Sequence, residues 1–261
     1  MATQLALITG ASSGIGFSLA KELASRGYDL VICSAGDRLP GAAEEIRAAG
    51  TTVTDVNADL ATSEGVDKLW AEVRELGRPL AIACLNAGVG VGGLFYETNL
   101  DAELNMIRLN CLGTVQLAKH VVQSMVEQGE GGILFTSSIA GEMVAPREAV
   151  YAATKAFVLS FAHSLRYELR DSGVTVTALQ PGPTDTDFFH RAGMDNTEVG
   201  SKGKSESQPD DVAREGIEAL LDGKDHVYSA SMKTKMEGML ANATPGAVKG
   251  AMHEKMARPN K

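Results

Sequence analysis

The most informative stretch of this chain is Leu5-Ala-Leu-Ile-Thr-Gly-Ala-Ser-Ser-Gly-Ile-Gly16, where an apolar run leads into a glycine-rich turn and then into a helical segment. Gly10, Gly14 and Gly16 allow a tight turn and a close approach of the backbone to a ligand. The helix that follows would point its N-terminal amides at an anion such as a pyrophosphate. A glycine-rich turn can also be a mere tight connection, but its place between the first strand and the first helix favours a nucleotide site.

Outside this turn, short β-branched apolar runs alternate with longer segments of helical period. The predicted strands are Leu5–Thr9, Leu30–Cys33, Thr52–Val56, Leu80–Leu85, Gly132–Ser137 and Val174–Leu179, and the predicted helices are 15–26, 41–49, 64–76, 101–127 and 149–171. This alternation predicts an α/β fold of the Rossmann type, a three-layer, doubly wound parallel sheet with helices on both faces. The strands are continuously apolar, as expected of a sheet that is buried on both sides.

The alternation of strands and helices stops after the sixth predicted strand. The segment Thr184–Gln208 is polar and glycine-rich, so we expect a mobile substrate loop there, with Phe188 and Phe189 able to cover a cleft. A helix over Pro209–Leu221 and a short strand at His226–Tyr228 would complete the sheet.

The tail at 229–261 carries half of the ten methionines. Met232, Met236 and Met239 recur at helical spacing, which favours core or subunit packing, although flexible methionines beside a cleft would also suit an irregular apolar substrate. The chain has 261 residues, 44% of them apolar, and no linker-like stretch divides it, which predicts one domain over 1–261.

Charge and composition exclude several classes of function. A net charge of -9 opposes nucleic-acid binding, which needs a clustered basic face. The uncharged start Met-Ala-Thr-Gln and the short apolar run at 5–8 predict neither a signal peptide nor a membrane span, so we expect a cytoplasmic protein. Cys33, Cys84 and Cys111 lack CxxC spacing and lie in apolar segments, which predicts buried structural thiols and no metal site.

Two further motifs carry groups suited to proton transfer. Tyr151-Ala-Ala-Thr-Lys155 opens a predicted helix, so the tyrosine and the lysine share one face. A phenol with a pKa of about 10 is a poor base at neutral pH, and a neighbouring ammonium stabilises its anion. Thr136-Ser137-Ser138 ends a buried strand, at the edge of the sheet where ligands gather, and Ser138 could bond a substrate oxygen. Alone, each motif is also typical of a helix surface or a strand end.

TGxxxGxG near the start, a serine about a dozen residues before YxxxK, and Asn86-Ala87-Gly88 at the fourth strand occur together. In this combination the chain resembles the short-chain dehydrogenase/reductase family in its ordinary single-domain form, from about residue 4 to residue 228. The resemblance implies an NAD(P)-dependent oxidoreductase of the carbonyl reductase, ketoreductase or alcohol dehydrogenase type. Its small-molecule substrate would be a ketone or a secondary alcohol.

The resemblance also implies roles for individual residues. Tyr151 would be the general acid/base, Lys155 would lower its pKa and hold the ribose hydroxyls, Ser138 would orient the carbonyl, and Asn110 would support a proton-relay water. The cofactor-binding positions implied are Gly10, Ser12, Ser13, Gly14, Ile15 and Gly16, then Ser34, Arg38, Asp59 and Leu60, then Asn86, Ala87 and Gly88, and finally Tyr151, Lys155, Pro181, Gly182, Thr184 and Thr186. Leu85 replaces a usual asparagine, with little consequence expected because that strand is buried.

The residues after the second predicted strand favour NADP(H) over NAD(H). An acidic side chain there normally binds the ribose 2′-hydroxyl and repels a 2′-phosphate, and Ala35 stands at the expected position. Ser34 and Arg38 could bond the phosphate. NAD(H) stays possible, since the basic residue that NADP users often carry at Ser13 is missing and Asp37 could reach the hydroxyl.

Two alternative functions stay open at this point. One is a non-catalytic sensor or scaffold that only binds the nucleotide, and the other is an epimerase or dehydratase, which usually has a longer region after the sheet. Apolar residues on more than one side of 149–171, together with 101–127, predict a homodimer or homotetramer. His163 lies three helical turns beyond Tyr151, so we interpret it as a packing or interface residue.

Overall fold

Seven short segments of the chain form the strands of one parallel sheet. They are β1 Leu5–Thr9, β2 Asp29–Ser34, β3 Val53–Asn57, β4 Leu80–Leu85, β5 Gly131–Thr136, β6 Val174–Pro181 and β7 His226–Ser229. Each neighbouring pair is parallel, and the strand order is β3-β2-β1-β4-β5-β6-β7. The structure is a computed structural model that describes residues 3–194, 196–198, 207–229 and 246–259.

The helices cover both faces of this sheet. They are α1 Gly14–Ser25, α2 Leu39–Arg47, α3 Ser63–Glu75, α4 Leu100–Ile107, α5 Thr114–Gln128, α6 Ala149–Glu168, α7 Phe188–Arg191, α8 Pro209–Leu221 and α9 Gly246–Ala257. Helices α1, α2 and α8 bury apolar side chains such as Leu19 and Ile217 in the core on one face. Helices α3, α5 and α6 bury side chains such as Leu69 and Val121 in the core on the other. This confirms the predicted three-layer, doubly wound α/β fold.

The topology places the two nucleotide motifs at one crevice. Strand β1 lies between β2 and β4, and the connections that leave β1 and β4 pass to opposite faces of the sheet. A crevice opens at the carboxyl ends of two strands wherever a parallel sheet is wound in this way. The glycine-rich turn follows β1 and Asn86-Ala87-Gly88 follows β4, so both lie at this crevice.

Two predicted segments differ from the structure. The predicted helix 101–127 is divided by a π-helical stretch at Arg108–Gly113, which separates α4 from α5. A π stretch adds a residue to a helical turn, which the spacing of apolar residues does not reveal. Thr184–Gln208, predicted as a loop, contains α7, because Phe188 and Phe189 form a small apolar cluster with residues of the tail. The mobility of this segment stays a prediction.

The tail also contributes a helix, α9, within its described part. Thr197 forms an isolated antiparallel bridge with Pro259 just beyond that helix. Met232, Met236 and Met239 lie outside the described residues, so their packing stays a prediction, as does the extent of a single domain over 1–261. None of the described helices has the length and apolar character needed to span a bilayer.

The three cysteines are buried, as predicted. Cys33, Cys84 and Cys111 are free thiols, and burial raises the pKa of each. A thiol kept protonated in an apolar environment packs as a small hydrophobic side chain.

Candidate active site

The turn between β1 and α1 has a backbone that favours glycine. Gly10 and Gly14 have φ of +70° and +57°, a left-handed conformation that glycine adopts without steric cost. A Cβ at Gly16 would collide with the Gly10 carbonyl oxygen and with Nδ2 of Asn86, so α1 packs this closely only with glycine there. Ser13 makes no side-chain capping bond to the described residues of α1. The first amides of α1 therefore stay available to an anion, which fits a pyrophosphate.

The segment after β4 is held against β1 by hydrogen bonds. Oγ1 of Thr9 accepts from the backbone N–H of Asn86 at 2.9 Å and of Ala87 at 3.0 Å. Nδ2 of Asn86 donates to the Thr9 carbonyl at 3.0 Å. Leu85, the departure from the family pattern, is buried in the core and leaves these bonds intact, as expected.

Ser138, Tyr151 and Lys155 come together at the carboxyl edge of the sheet. Ser138 follows β5, the other two lie on α6, and each is at most 8% exposed. Nζ of Lys155 lies 5.7 Å from the centroid of the Tyr151 ring and donates to the Thr136 carbonyl at 2.9 Å. Oγ of Ser137 donates to the Lys155 carbonyl at 2.8 Å, which fixes α6 against the end of β5.

Burial sets the protonation of the tyrosine and the lysine. Burial raises the pKa of Tyr151 above its ordinary value, the negative charge of Glu148 raises it further, and the Ser138 hydroxyl lowers it. Burial lowers the pKa of Lys155 to about 8. At neutral pH the site therefore holds a neutral phenol beside a lysine that is mostly protonated.

Asn110 lies in the π-helical stretch between α4 and α5 and is only 1% exposed. Its Oδ1 accepts from the backbone N–H of Val89 at 3.0 Å, and its Nδ2 donates to the Val89 carbonyl at 2.9 Å and to Oγ1 of Thr154 at 3.0 Å. Thr154 precedes Lys155 on α6. The asparagine side chain therefore joins the segment after β4 to the helix that carries Tyr151 and Lys155, and it does not line the cavity.

A cavity of about 320 Å³ runs along this edge of the sheet. The predicted cofactor positions that line it are Gly10, Ser12, Ser13, Gly14, Ile15, Gly16, Ser34, Asp59, Leu60, Asn86, Ala87, Gly88, Tyr151, Lys155, Pro181, Gly182, Thr184 and Thr186. Ser138 lines it as well, so the acid/base candidates and the nucleotide turn share one space. Its 320 Å³ lies within the range of small-molecule sites.

Arg38 is the exception among the predicted cofactor positions, because it does not line the cavity, and its contact with a 2′-phosphate stays a prediction. Its Nη1 donates to Oδ2 of Asp187 at 2.6 Å. This carboxylate, just before α7, holds the guanidinium away from the end of β2. Arg191, and not Arg38, lies beside the glycine-rich turn after β1. Nη2 of Arg191 donates to Oγ of Ser13 at 3.0 Å, and Arg191 lines the cavity.

The end of the cavity beyond Tyr151 is built largely by residues that sequence reasoning missed. Phe188 and Phe189 line it, as we suggested, and the Phe188 ring lies 5.2 Å from the Tyr151 ring. Met143, Glu148, His253 and Met256 also line the cavity. Two of these come from α9, about 100 residues beyond Tyr151, and no local motif marks them.

A second cluster of polar side chains lies outside the cavity. Ligand atoms of His163, Asp225 and His226 all lie within 4.8 Å of one another, and the two histidine rings are 6.0 Å apart. His163 does pack against a neighbour, as predicted, but that neighbour is another histidine. The absence of a metal site stays a prediction.

The comparisons with known proteins agree with this geometry. Residues 4–197 match the family of the short chain dehydrogenase. A curated relative, 1-deoxy-11-beta-hydroxypentalenate dehydrogenase of Streptomyces exfoliatus, is 34% identical over 233 residues, which are 88% of this chain and 84% of the relative.

Two solved structures illustrate the likeness. The short-chain dehydrogenase from Sphingobium yanoikuyae in complex with NADPH has a TM-score of 0.79 and 31% identity, with 86% of this chain and 87% of that chain covered. A short chain dehydrogenase/reductase from Burkholderia phymatum in complex with NAD has a TM-score of 0.83 and 25% identity, with 92% and 91% covered. This chain therefore belongs to the short-chain dehydrogenase/reductase family and is an oxidoreductase with a Rossmann-type fold.

Proposed function

We propose that this protein transfers a hydride between a nicotinamide nucleotide and a ketone or secondary alcohol, with Tyr151 as the general acid/base. The observation that carries the proposal is the burial of Ser138, Tyr151 and Lys155 in the same cavity as the uncapped start of α1. A phenol and an ammonium buried next to an anion site are suited to proton transfer beside a bound dinucleotide.

The nucleotide would be held by the turn after β1 and by the segment after β4. When bound, it supplies the hydride and accepts it back in the reverse reaction. The first amides of α1 would bind the pyrophosphate, and Asp59 and Leu60 would contact the adenine, as the family pattern implies. Asn86, Ala87 and Gly88 line the same crevice.

Tyr151 would donate its proton to the substrate oxygen during reduction and remove a proton from the alcohol during oxidation. In the free protein the phenol is neutral, so it is ready to donate. The positive charge on Lys155, whose pKa is about 8, would stabilise the phenolate that remains. Ser138 would orient the substrate oxygen, since its Oγ donates to the Pro181 carbonyl over a long 3.4 Å and can turn to a better acceptor.

Asn110 acts as a positioning residue in this proposal. Its bonds to Val89 and Thr154 connect the nucleotide crevice with α6. A π-helical stretch frees a backbone carbonyl from the regular helical pattern, and such stretches are common at functional sites. That carbonyl would support the proton-relay water that the family pattern implies at Asn110.

NADP(H) is the favoured cofactor in this proposal, and NAD(H) stays possible. The guanidinium of Arg191 donates to the Ser13 hydroxyl, so it supplies the basic group that the sequence of the turn lacks. Ala35 offers no acid to repel a 2′-phosphate, and Ser34 lines the cavity nearby, with its Oγ 2.9 Å from Oγ of Ser12. Positive charge and hydroxyl donors at this rim suit a phosphate better than a bare hydroxyl.

A homodimer or homotetramer is the assembly we propose. Apolar side chains are exposed on the helices expected to form the interface, with Leu100 at 64%, Leu112 at 62% and Phe157 at 43%. Exposed apolar groups on adjacent helices are typical of subunit contacts. The cytoplasmic location stays a prediction.

The test is a panel of ketones and secondary alcohols assayed with NADP(H) and NAD(H), in which the absorbance of the reduced nicotinamide is followed. We expect turnover of at least one ketone–alcohol pair. Tight nucleotide binding with no turnover across the panel would instead support the non-catalytic sensor or scaffold.

A further inference from the structure

The helix α9 brings a polar group into the cavity close to Tyr151. His253, on α9, is 4% exposed, and Glu148, at the start of α6, is 5% exposed. Nε2 of His253 lies 2.9 Å from Oε2 of Glu148, and both residues line the cavity. A buried carboxylate is costly without a hydrogen-bond donor, so this contact explains how Glu148 is tolerated there.

A second contact next to it fixes α9 in place. Nε of Arg147 lies 3.1 Å from Oε1 of Glu254, so two adjacent residues before α6 bond two adjacent residues of α9. Arg147 has a φ of +68°, a left-handed conformation that is strained for a residue other than glycine. Its carbonyl accepts from the Gly93 N–H at 2.8 Å. Strain of this kind persists only where the surrounding contacts hold it, and it is common at functional sites.

The second ring nitrogen of His253, Nδ1, is the atom of the pair left to bind a ligand. Among the residues that the structure describes, none donates to Nδ1 or accepts from it, and the ring lines the cavity. With Nε2–H directed at Glu148, the neutral ring presents Nδ1 as an acceptor, and the protonated ring presents Nδ1–H as a donor. A hydroxyl group suits both states, because it can donate as well as accept.

The position of this pair limits where the hydroxyl can lie. Glu148 directly precedes α6 and stands three residues before Tyr151, and its negative charge is one of the causes that raise the pKa of Tyr151, so the two groups lie near each other. The surrounding wall, from Met143, Phe188 and Met256, is apolar. The negative charge of Glu148 disfavours a carboxylate in the same place.

We propose that His253 and Glu148 form a recognition site for a second, uncharged hydroxyl of the substrate, a few bonds from the reacting carbon. The substrate class is then a hydroxyketone, or the corresponding diol in the reverse reaction. This inference rests on the proposed function, because it names the substrate of the same site. It assigns a specificity-determining role to the tail, which carries none of the family's motifs.

The test compares 4-hydroxy-2-butanone with 2-pentanone, which has a methyl group in place of the hydroxyl. With the cofactor-loaded wild-type protein we expect a kcat/KM for the hydroxyketone about tenfold higher or more, as the loss of one hydrogen bond to a polar partner predicts. His253→Gln keeps an N–H able to reach Glu148 but lacks the second ring nitrogen, so it should bring the ratio close to one. His253→Asn, whose shorter amide can stand near the position of Nδ1, should keep part of the preference.

Glu254→Gln is the matched control, since it weakens the contact with Arg147 and leaves His253 in place. It should change the kcat/KM of both ketones by the same factor. Equal rates for the two ketones in the wild type, or an equal loss for both in His253→Gln, would overturn the proposal and leave His253 a purely structural role.

Calorimetric binding of the two ketones to the cofactor-loaded protein separates this inference from the proposed function. If neither ketone is reduced but the hydroxyketone binds more tightly in a way that depends on His253, the proposed reaction fails and the recognition site stands. If neither binding nor rate distinguishes the two compounds, the recognition site fails whatever the reaction is.

Discussion

The two ends of the cavity are built in different ways. The nucleotide end includes two short contiguous segments, the turn at Gly10–Gly16 and the triplet Asn86–Gly88, each directly after a strand. The end beyond Tyr151 comes from side chains of the segment before α6, of α7 and of α9, and it includes one pair that is 105 residues apart in sequence. The first end is set by backbone geometry and the second by packing between distant elements. We therefore expect substitutions at the two ends to have separable effects on cofactor binding and on turnover.

Tyr151→Phe should separate the two ends most strongly. It removes the proton donor and keeps the ring that packs against Phe188, so kcat should fall by about 10²–10⁴-fold while the affinity for the cofactor is unchanged. Steady-state kinetics and calorimetric binding of the nucleotide measure the two effects. Turnover close to that of the wild type would remove Tyr151 from the mechanism.

Gly16→Ala should damage the nucleotide end. Its new Cβ would meet the Gly10 carbonyl oxygen and Asn86, so we expect a loss of about 1–3 kcal/mol in the free energy of unfolding and weaker binding of the nucleotide. Gly41→Ala is the matched control, because its Cβ would meet no atom of the described residues within 4 Å. The control should be neutral or slightly stabilising, and an equal effect of both substitutions would contradict the geometry of the turn.

The pH dependence of stability tests whether burial lowers the pKa of Lys155, which lies between the two ends of the cavity. Burial lowers its pKa from 10.5 to about 8, so between these values the unfolded chain binds more protons than the folded protein. The cost of burying the ammonium is therefore present in full below pH 8 and is removed as the pH rises. Relative to Lys155→Met, the cofactor-free wild type should gain about 2 kcal/mol in unfolding free energy from pH 8 to pH 10.

Urea unfolding at several pH values measures this difference. Lys255→Met, at an exposed position of α9, controls for the loss of a lysine from the chain. A difference between wild type and Lys155→Met that stays constant with pH would mean that the lysine is solvated in the folded protein.

Arg191 tests whether the two ends of the cavity are separate. It belongs to the segment after β6, yet it contacts Ser13 in the nucleotide turn. If it binds the 2′-phosphate, Arg191→Ala should lower kcat/KM for NADPH about tenfold relative to NADH. Arg214→Ala, an exposed arginine paired with Asp211 on α8, is the matched control. An equal loss with both cofactors would place Arg191 at the shared pyrophosphate.

A preference for NAD(H) that Asp37→Ala relieves would show that Asp37 binds the ribose hydroxyl.

Much of the fold was predictable from local patterns. Most of the strands are short apolar runs, and the helices α1, α3 and α8 show their apolar face at regular spacing, so the existence of these elements could be predicted from the sequence. The π-helical stretch at Arg108–Gly113 could not, because apolar spacing continues through it while one residue is added to the turn. The helix α7 was missed because its stability comes from packing with the tail and not from its own four residues.

The candidate site divides in the same way. Glycine at 10, 14 and 16, the triplet at 86–88 and the tyrosine and lysine at 151 and 155 follow from the sequence, since backbone freedom and helical spacing act over a few residues. The partners of Arg38, Arg191 and Glu148 do not follow from it. Charged side chains bind whatever opposite charge or polar group folding brings near, and here those groups are between 105 and 178 residues away. Only the packed arrangement of α7 and α9 over the end of the sheet fixes which of these groups meet.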